Sequence, residues 1–294
     1  MRNLKTIYLL QESDSPNPEL GIAAESVQDG DLSWAHEHLL RLMFTELSHL
    51  HNEQTPVTLL RFIGVSSPQS YEGVKEDLQQ GRITLTNPFK FNDPMDPILK
   101  TWLKLHKEDA VRQNERKLFK MMTNSLKNLR ISCFSDESSL GNNSPLMWSH
   151  YADSHRGIAI KYSITPEMIE NHNDNNHLLR LCKVAYRHQK EMNDNITLDN
   201  ALLAKSSCWE YEAECRLIYF TTNDNDLKIQ NYDQNKRSDY ISLDGFQIEA
   251  VYLGTRIDPK KEAEIKSISN CLGIPIFKMR FCMSDITQIE PSAL

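Results

Sequence analysis

The sequence contains no glycine-rich phosphate loop: neither G-x-x-x-x-G-K-[ST] nor G-x-G-x-x-G occurs. A ligand phosphate is therefore not expected on the backbone of a helix-opening loop. H-E-x-x-H and G-x-S-x-G are absent as well, which removes the zincin metal motif and the nucleophile elbow. The six cysteines, at 133, 182, 208, 215, 271 and 282, form no Cys-x-x-Cys pair. In a chain of this length the expectation is reduced thiols and a cytoplasmic protein, not a disulfide or zinc framework. No stretch approaches the roughly 18 apolar residues of a membrane span, and the run Ile7 to Leu10 is too short for a signal peptide despite Arg2 and Lys5. Excess positive charge is also missing. A net charge of -7 argues against general affinity for a nucleic-acid backbone and leaves room only for a local basic patch.

At 294 residues, 39% of them hydrophobic and 25% charged, the chain has the makings of a soluble globular protein with a full core. It divides into an N-terminal helical extension, 1–54, and a main α+β domain, 55–294. Within the extension, 11–30 reads as a loop. Leu32, Trp34, Leu39, Leu40, Met43, Leu47 and Leu50 then follow helical spacing. His36, His38, His49 and His51 lie on or beyond that helix, where a solvated face is the default and a metal site is not expected.

In the main domain Thr58 to Ile63 reads as a strand, followed by a helix that ends at Gly81, a C′ glycine. Arg82 to Thr86 is a second strand, running into the turn-rich segment Asn87 to Pro94. Residues 98–128 read as mostly helical and Leu129 to Ser135 as a strand. Ser144 and Pro145 open a helix over Leu146 to Asp153. Gly157 to Tyr162 is a strand, Thr165 and Pro166 open another helix, and Leu178 to Tyr186 is extended. Thr197 to Cys208 reads as helix, Glu212 to Phe220 as strand, and 222–236 as a polar loop. The end of the chain reads strand (Ile248 to Gly254), helix (Pro259 to Cys271), strand (Ile274 to Phe281), a βαβ unit with a parallel pair. The predicted class is α+β, with a mixed, mostly antiparallel sheet and flanking helices.

One run stands out. From Trp209 to Arg216 the residues alternate with period two, so an extended segment puts Glu210, Glu212, Glu214 and Arg216 on one face. If that face were solvated, its ion pairs would contribute about 0–1 kcal/mol each and explain little. If it lined a cleft, the carboxylates would perturb one another and could act on a polar substrate. Upstream, Trp148, Tyr151 and Ala152 share a helix face. Trp148 reads as core, whereas the Tyr151 hydroxyl needs a partner if buried. His150 and His155 read as solvated or as within reach of a ligand. Asn92 and Asp93 read first as local turn caps.

Phe91 to Pro94, Ile131 to Ser135, Met147, Trp148, Tyr151 and Ala152 with His155 and Gly157, then Lys205, Trp209, Glu212, Glu214 and Arg216 together resemble the bacterial family known as domain of unknown function 2971. The resemblance covers roughly 58–280 and implies kinship without an activity. In the order of its parts the chain is also distantly similar to mono-ADP-ribosyltransferases: a basic residue on an early strand (Arg61), a central strand with serines (Ser132 to Ser135) and a late Glu-x-Glu (Glu212, Glu214). Its middle motif is Ser-Cys-Phe-Ser where that family has Ser-Thr-Ser. This second resemblance implies a split sheet and NAD as substrate, with no metal required. Glu214 would stabilise the oxocarbenium-like ribose and Glu212 would orient or deprotonate the acceptor. Arg61 would bind the pyrophosphate. Phe134, Trp148 or Tyr151 would stack on nicotinamide, and Ser132 or Ser135 would support the ribose or the glutamate. The expectation is an NAD-dependent ADP-ribosyltransferase or NAD glycohydrolase, a toxin or anti-phage effector, with protein, nucleic acid or water as acceptor and no membrane partner. The alternatives are a non-catalytic nucleotide- or protein-binding module on the same fold and, third, a metal-dependent nuclease, for which a convergent carboxylate set is lacking.

Overall fold

The computed structural model describes residues 56–91, 116–117, 120–121, 123–124, 126–140, 144–173, 177–188, 198–221, 238–242, 247–281 and 289–293. The N-terminal extension with its four histidines, the Asn92 to Pro94 turn, most of 98–128, Thr197, Cys282 and the loop 222–236 lie outside the described residues.

Strand β1 (Val57–Ile63) leads into helix α1 (Pro68–Gln80), which Ser67 caps by accepting from the Ser70 N–H and which ends on left-handed Gly81. β2 (Arg82–Thr86) follows, with a 3₁₀ turn at Pro88–Lys90. β3 (Arg130–Asp136), α2 (Ser144–Tyr151) and β4 (Ile158–Ile164) come next. α3 (Pro166–Asn171) is capped by Thr165, whose side chain accepts from the Met168 N–H. β5 (His177–Lys183), β6 (Ala185–Arg187), α4 (Leu198–Leu203), β7 (Ala204–Ser206) and β8 (Glu214–Thr221) make the middle of the chain. β9 (Ser238–Ser242), β10 (Gln247–Leu253), α5 (Pro259–Leu272), β11 (Ile276–Phe281) and β12 (Ile289–Ala293) complete it. Ser, Thr and Asp caps followed by proline explain why α1, α3 and α5 begin where they do.

Ten strands form one sheet in the order β12-β11-β10-β4-β1-β3-β2-β9, with β8 and β5 branching from β3. It is mixed and mostly antiparallel: β10 and β11 are its parallel pair, joined through α5 as the βαβ unit. One core cluster lies on the α1 and α5 face and includes Leu59, Val74, Leu78, Phe134, Ile160, Leu217 and Ile265. On the opposite face Leu60, Trp148, Ala152, Ala159, Tyr252 and Met279 pack beneath α2. Among the described residues no helix is long and apolar enough to cross a membrane.

The feature that positions the site is a fork. β1 pairs along its whole length with β4, from Val57↔Ile164 to Ile63↔Ile158. β3 pairs along six residues with β8. Between β1 and β3, however, only Leu59↔Asp136 and Leu60↔Ser135 are in register, and β2 meets β3 at Thr86↔Ile131. Between those points β3 stays paired with β8 but with neither β1 nor β2, and a cavity opens there.

Two sequence expectations are corrected. Trp209 to Arg216 is not one extended run: Ser207–Glu212 is a 3₁₀ helix and β8 begins only at Glu214. The break is Ala213, left-handed at φ 44°, a conformation that costs an L-residue about 1–2 kcal/mol. It is held by hydrogen bonds from its N–H to the Glu210 carbonyl and from the Asp136 N–H to its own carbonyl. Exposed Glu210 consequently leaves the face shared by Glu212 and Glu214. Nor is 197–208 helical to its end. α4 stops at Leu203, and Ala204–Ser206 runs extended beside β6 with Tyr186↔Lys205 in register. Ala201, Leu202, Leu203 and Ala204 are all buried, a continuous apolar run that periodicity does not separate from a helix.

Candidate functional site

The cavity at the fork has a volume of about 540 Å³, within the range of small-molecule sites. Leu60, Arg61 and Phe62 of β1 and Ile131 to Ser135 of β3 form two walls, and Tyr151, Lys205, Trp209, Glu212 and Glu214 a third. Register assigns the side chains to faces. Leu60, Ser135 and Glu214 lie opposite one another across β1, β3 and β8, so they share the α2 face. Arg61, Ser132 and Phe134, one or three residues out of that phase, take the α1 face. The cavity thus passes between the strands and reaches both faces of the sheet.

The α2 side holds a compact ionic cluster. Lys205 Nζ donates to Glu212 Oε2 at 2.5 Å and to Glu214 Oε2 at 2.9 Å. Arg216, 0% exposed, donates through Nε to Glu214 Oε1 at 2.8 Å, through Nη2 to Glu214 Oε2 at 3.2 Å, and through Nη1 to the Leu202 carbonyl at 2.5 Å. The Tyr151 hydroxyl donates to Glu212 Oε1, and the Glu214 N–H donates to the Tyr186 hydroxyl oxygen at 2.7 Å. Lys205 also sits 5.4 Å over the Trp209 ring, which His150 and Tyr211 flank. Glu212 and Glu214 therefore do converge, through Lys205, although they do not share a strand.

Their electrostatics differ. Burial alone would raise the Glu214 carboxyl, but Arg216, then Lys205 and Cys133, outweigh it and hold Glu214 down at about 2. Glu212 moves the other way. Burial raises it above the ordinary carboxylate value, and Lys205 and Tyr151 offset that only in part. A group depressed on folding stabilises above its unfolded value and loses that contribution as pH falls through the folded one. The difference in unfolding free energy between wild type and Glu214→Gln is accordingly expected to narrow as pH drops from 4.5 toward about 2, measured by urea titration at each pH. A constant difference over that window would show that Glu214 is not ionised by its neighbours.

On the α1 side Arg61 Nη1 is buried and makes no hydrogen bond among the described residues. It lies 3.9 Å from Asp77 Oδ2, but Asp77 already accepts from Arg82 Nε at 2.8 Å and from the Thr84 hydroxyl at 2.7 Å. Ser132 Oγ, also on the cavity wall, is likewise buried and makes no hydrogen bond among the described residues. Two buried polar groups on one cavity are costly unless a ligand or water satisfies them.

Of the residues singled out from sequence, Arg61, Ser132, Phe134, Ser135, Tyr151, Glu212 and Glu214 line this cavity. Trp148 does not: it is fully buried in the α2 core, edge-on to Phe62 with centroids 5.4 Å apart. His155 is not on the cavity wall and holds Ser149 Oγ at 3.1 Å through Nε2. Lys205, which bridges the two glutamates, stands in the family motif without a role attached to it. Cys133 and Phe91 stand in the family motifs without a role attached to them, and Tyr186 carries no charge or spacing signal. Among the described residues no group of three or more His, Cys, Asp or Glu is placed to hold a metal.

Residues 147–217 match the family model described as Protein of unknown function (DUF2971), which supports the family resemblance and spans Tyr151, Lys205, Glu212 and Glu214. No curated protein and no solved structure matches the chain.

Proposed function

We propose that the fork binds NAD and that the protein breaks its nicotinamide–ribose bond, on an ADP-ribosyltransferase-like split sheet. The observation that carries this reading is a single cavity with a partly buried arginine, whose buried Nη1 makes no hydrogen bond among the described residues, on one face of the sheet and a buried, proton-avid glutamate on the other. Such a site suits an elongated ligand with an anionic middle and a glycosidic end. Arg61 would grip the pyrophosphate with its planar fork of donors, and Ser132 would add a neutral hydrogen bond.

As the C1′–N bond breaks, its electron pair leaves with neutral nicotinamide, and positive charge develops on the ribose. Carboxylates beside that carbon stabilise it. Between the two glutamates, the geometry favours Glu212 for the reacting end. Glu214 accepts three hydrogen bonds from two cations, Arg216 and Lys205, whereas Glu212 accepts one from a cation and one from a neutral hydroxyl, so the part of Glu214 is to fix Lys205, and through it Glu212. When an acceptor hydroxyl attacks C1′, its proton needs a base, and a carboxylate with a raised pKa is the better one near neutral pH. The acceptor is water or a hydroxyl-bearing macromolecule.

Arg61→Gln removes the charge and keeps a shorter polar side chain on the wall. A hydrogen bond to a charged group contributes about 1.5–3 kcal/mol, so NAD affinity by titration calorimetry is expected to fall roughly 10- to 100-fold. Unchanged affinity would remove the reading of the α1 side.

A further inference from the structure

The helix that carries Tyr151 ends in an unusual turn. Asp153, Ser154 and His155 are all left-handed, at φ 48°, 54° and 67°. None is glycine, and each such residue costs about 1–2 kcal/mol. Strain of this kind persists only where the surroundings over-determine it, and here they do. The His155 N–H donates to the Trp148 carbonyl at 3.0 Å and the Gly157 N–H to the Ala152 carbonyl at 2.8 Å. The His155 carbonyl accepts from the Arg256 N–H at 2.9 Å, and Asp153 Oδ2 accepts from the Ser66 N–H at 2.6 Å. Two glycines leave no slack: a Cβ on Gly157 would collide with the Ile63 carbonyl oxygen, and one on Gly254 with that of His155. The turn therefore ties the end of α2 to the segment after β1 and to the segment after β10, immediately beyond Tyr151. Tyr151 remains 39% exposed, yet its hydroxyl reaches inward to a glutamate that is 3% exposed.

We propose that Tyr151 is a positioning residue: held by the strained turn, its hydroxyl fixes Glu212 in the orientation and ionisation that the cavity needs. This rests on the proposed NAD reading only for its consequence in turnover, because the contact itself exists without a ligand. It also departs from the stacking role expected of Tyr151 from sequence. The charged and titratable groups that act on Glu212 are Tyr151 from α2, Lys205 from β7 and Glu214 from β8, with Tyr186 from β6 and Tyr211 from the 3₁₀ helix close enough to feel its charge. Of these, Lys205 and Tyr151 donate to the Glu212 carboxylate, and a donor to the ionised form stabilises it.

The test is Tyr151→Phe, which keeps the ring and removes the hydroxyl. Protein carrying ¹³C at glutamate side-chain carboxyls is titrated by NMR without NAD, the Glu212 signal being assigned by its absence in Glu212→Gln. Losing one hydrogen bond to the charged form is expected to move the Glu212 midpoint upward by about one pH unit, and the acid limb of nicotinamide release by the same amount, with KM for NAD little changed. A Glu212 midpoint that stays in place in a folded Tyr151→Phe protein overturns the proposal. So does a raised KM with an unmoved acid limb, which would mean stacking. If the midpoint moves but wild type releases no nicotinamide, the positioning role stands and the NAD reading falls.

Discussion

Arg216→Met is expected to lower the free energy of unfolding by about 3 kcal/mol, the lower end of the roughly 3–5 kcal/mol found when one partner of a buried ion pair is removed. Arg216 is completely buried and supplies two of the hydrogen bonds that hold Glu214. Its third donor closes the end of α4 on the Leu202 carbonyl. Methionine fills similar volume, so the cost is electrostatic and not a cavity. The value falls at the lower end because Lys205 remains on Glu214 at 2.9 Å. The double variant Arg216→Met, Glu214→Leu removes the stranded charge and should recover most of the loss. Chemical denaturation reads both. If the double variant is as unstable as the single one, packing and not charge holds this part of the fold.

Glu212→Gln is expected to reduce nicotinamide release by about 10²–10³-fold in kcat, the size of effect seen when one preorganised electrostatic group is removed from a reacting centre. Glutamine keeps the shape and can still meet Lys205 and Tyr151 weakly, but it neither opposes a developing cation nor accepts a proton. Because burial already raises the Glu212 carboxyl, removing its charge relieves a cost to the native state. The variant should therefore be at least as stable as wild type, and lost turnover would not reflect unfolding. Glu214→Gln should show the complementary pattern, a larger loss of stability with a smaller loss of rate. The reverse pattern would return the central chemical part to Glu214.

Much of the architecture could be read from residues with a local mechanism. Ser67 with Pro68, Thr165 with Pro166, and Gly81 mark helix ends because caps act over a few residues. β12 was not foreseen, since it carries Pro291 on a sheet edge, where proline is tolerated but gives no strand signal. β9 went unread too. The run Trp209 to Arg216 misled through its own regularity: a period-two pattern assumes uniform backbone, and one left-handed alanine cancels it. The meeting of Glu212 with Glu214 survived because Lys205, a residue the pattern did not involve, draws both in. Arg61 and the Ser132 to Ser135 strand were legible as candidates only through family resemblance. That they border one cavity depends on β1 and β3 parting after Leu60↔Ser135, a matter of register between distant segments that no local signal carries. Trp148 reads as core from its helical spacing and lies there, fully buried against Phe62; only the transferase resemblance offered it as a stacking group.

The most direct measurement is nicotinamide released from NAD by the purified full chain at neutral pH, followed over time against a protein-free blank. Release above the blank is expected even with water as the acceptor. NAD that binds at the fork and is recovered intact would contradict it, leaving a nucleotide-binding module in place of an enzyme.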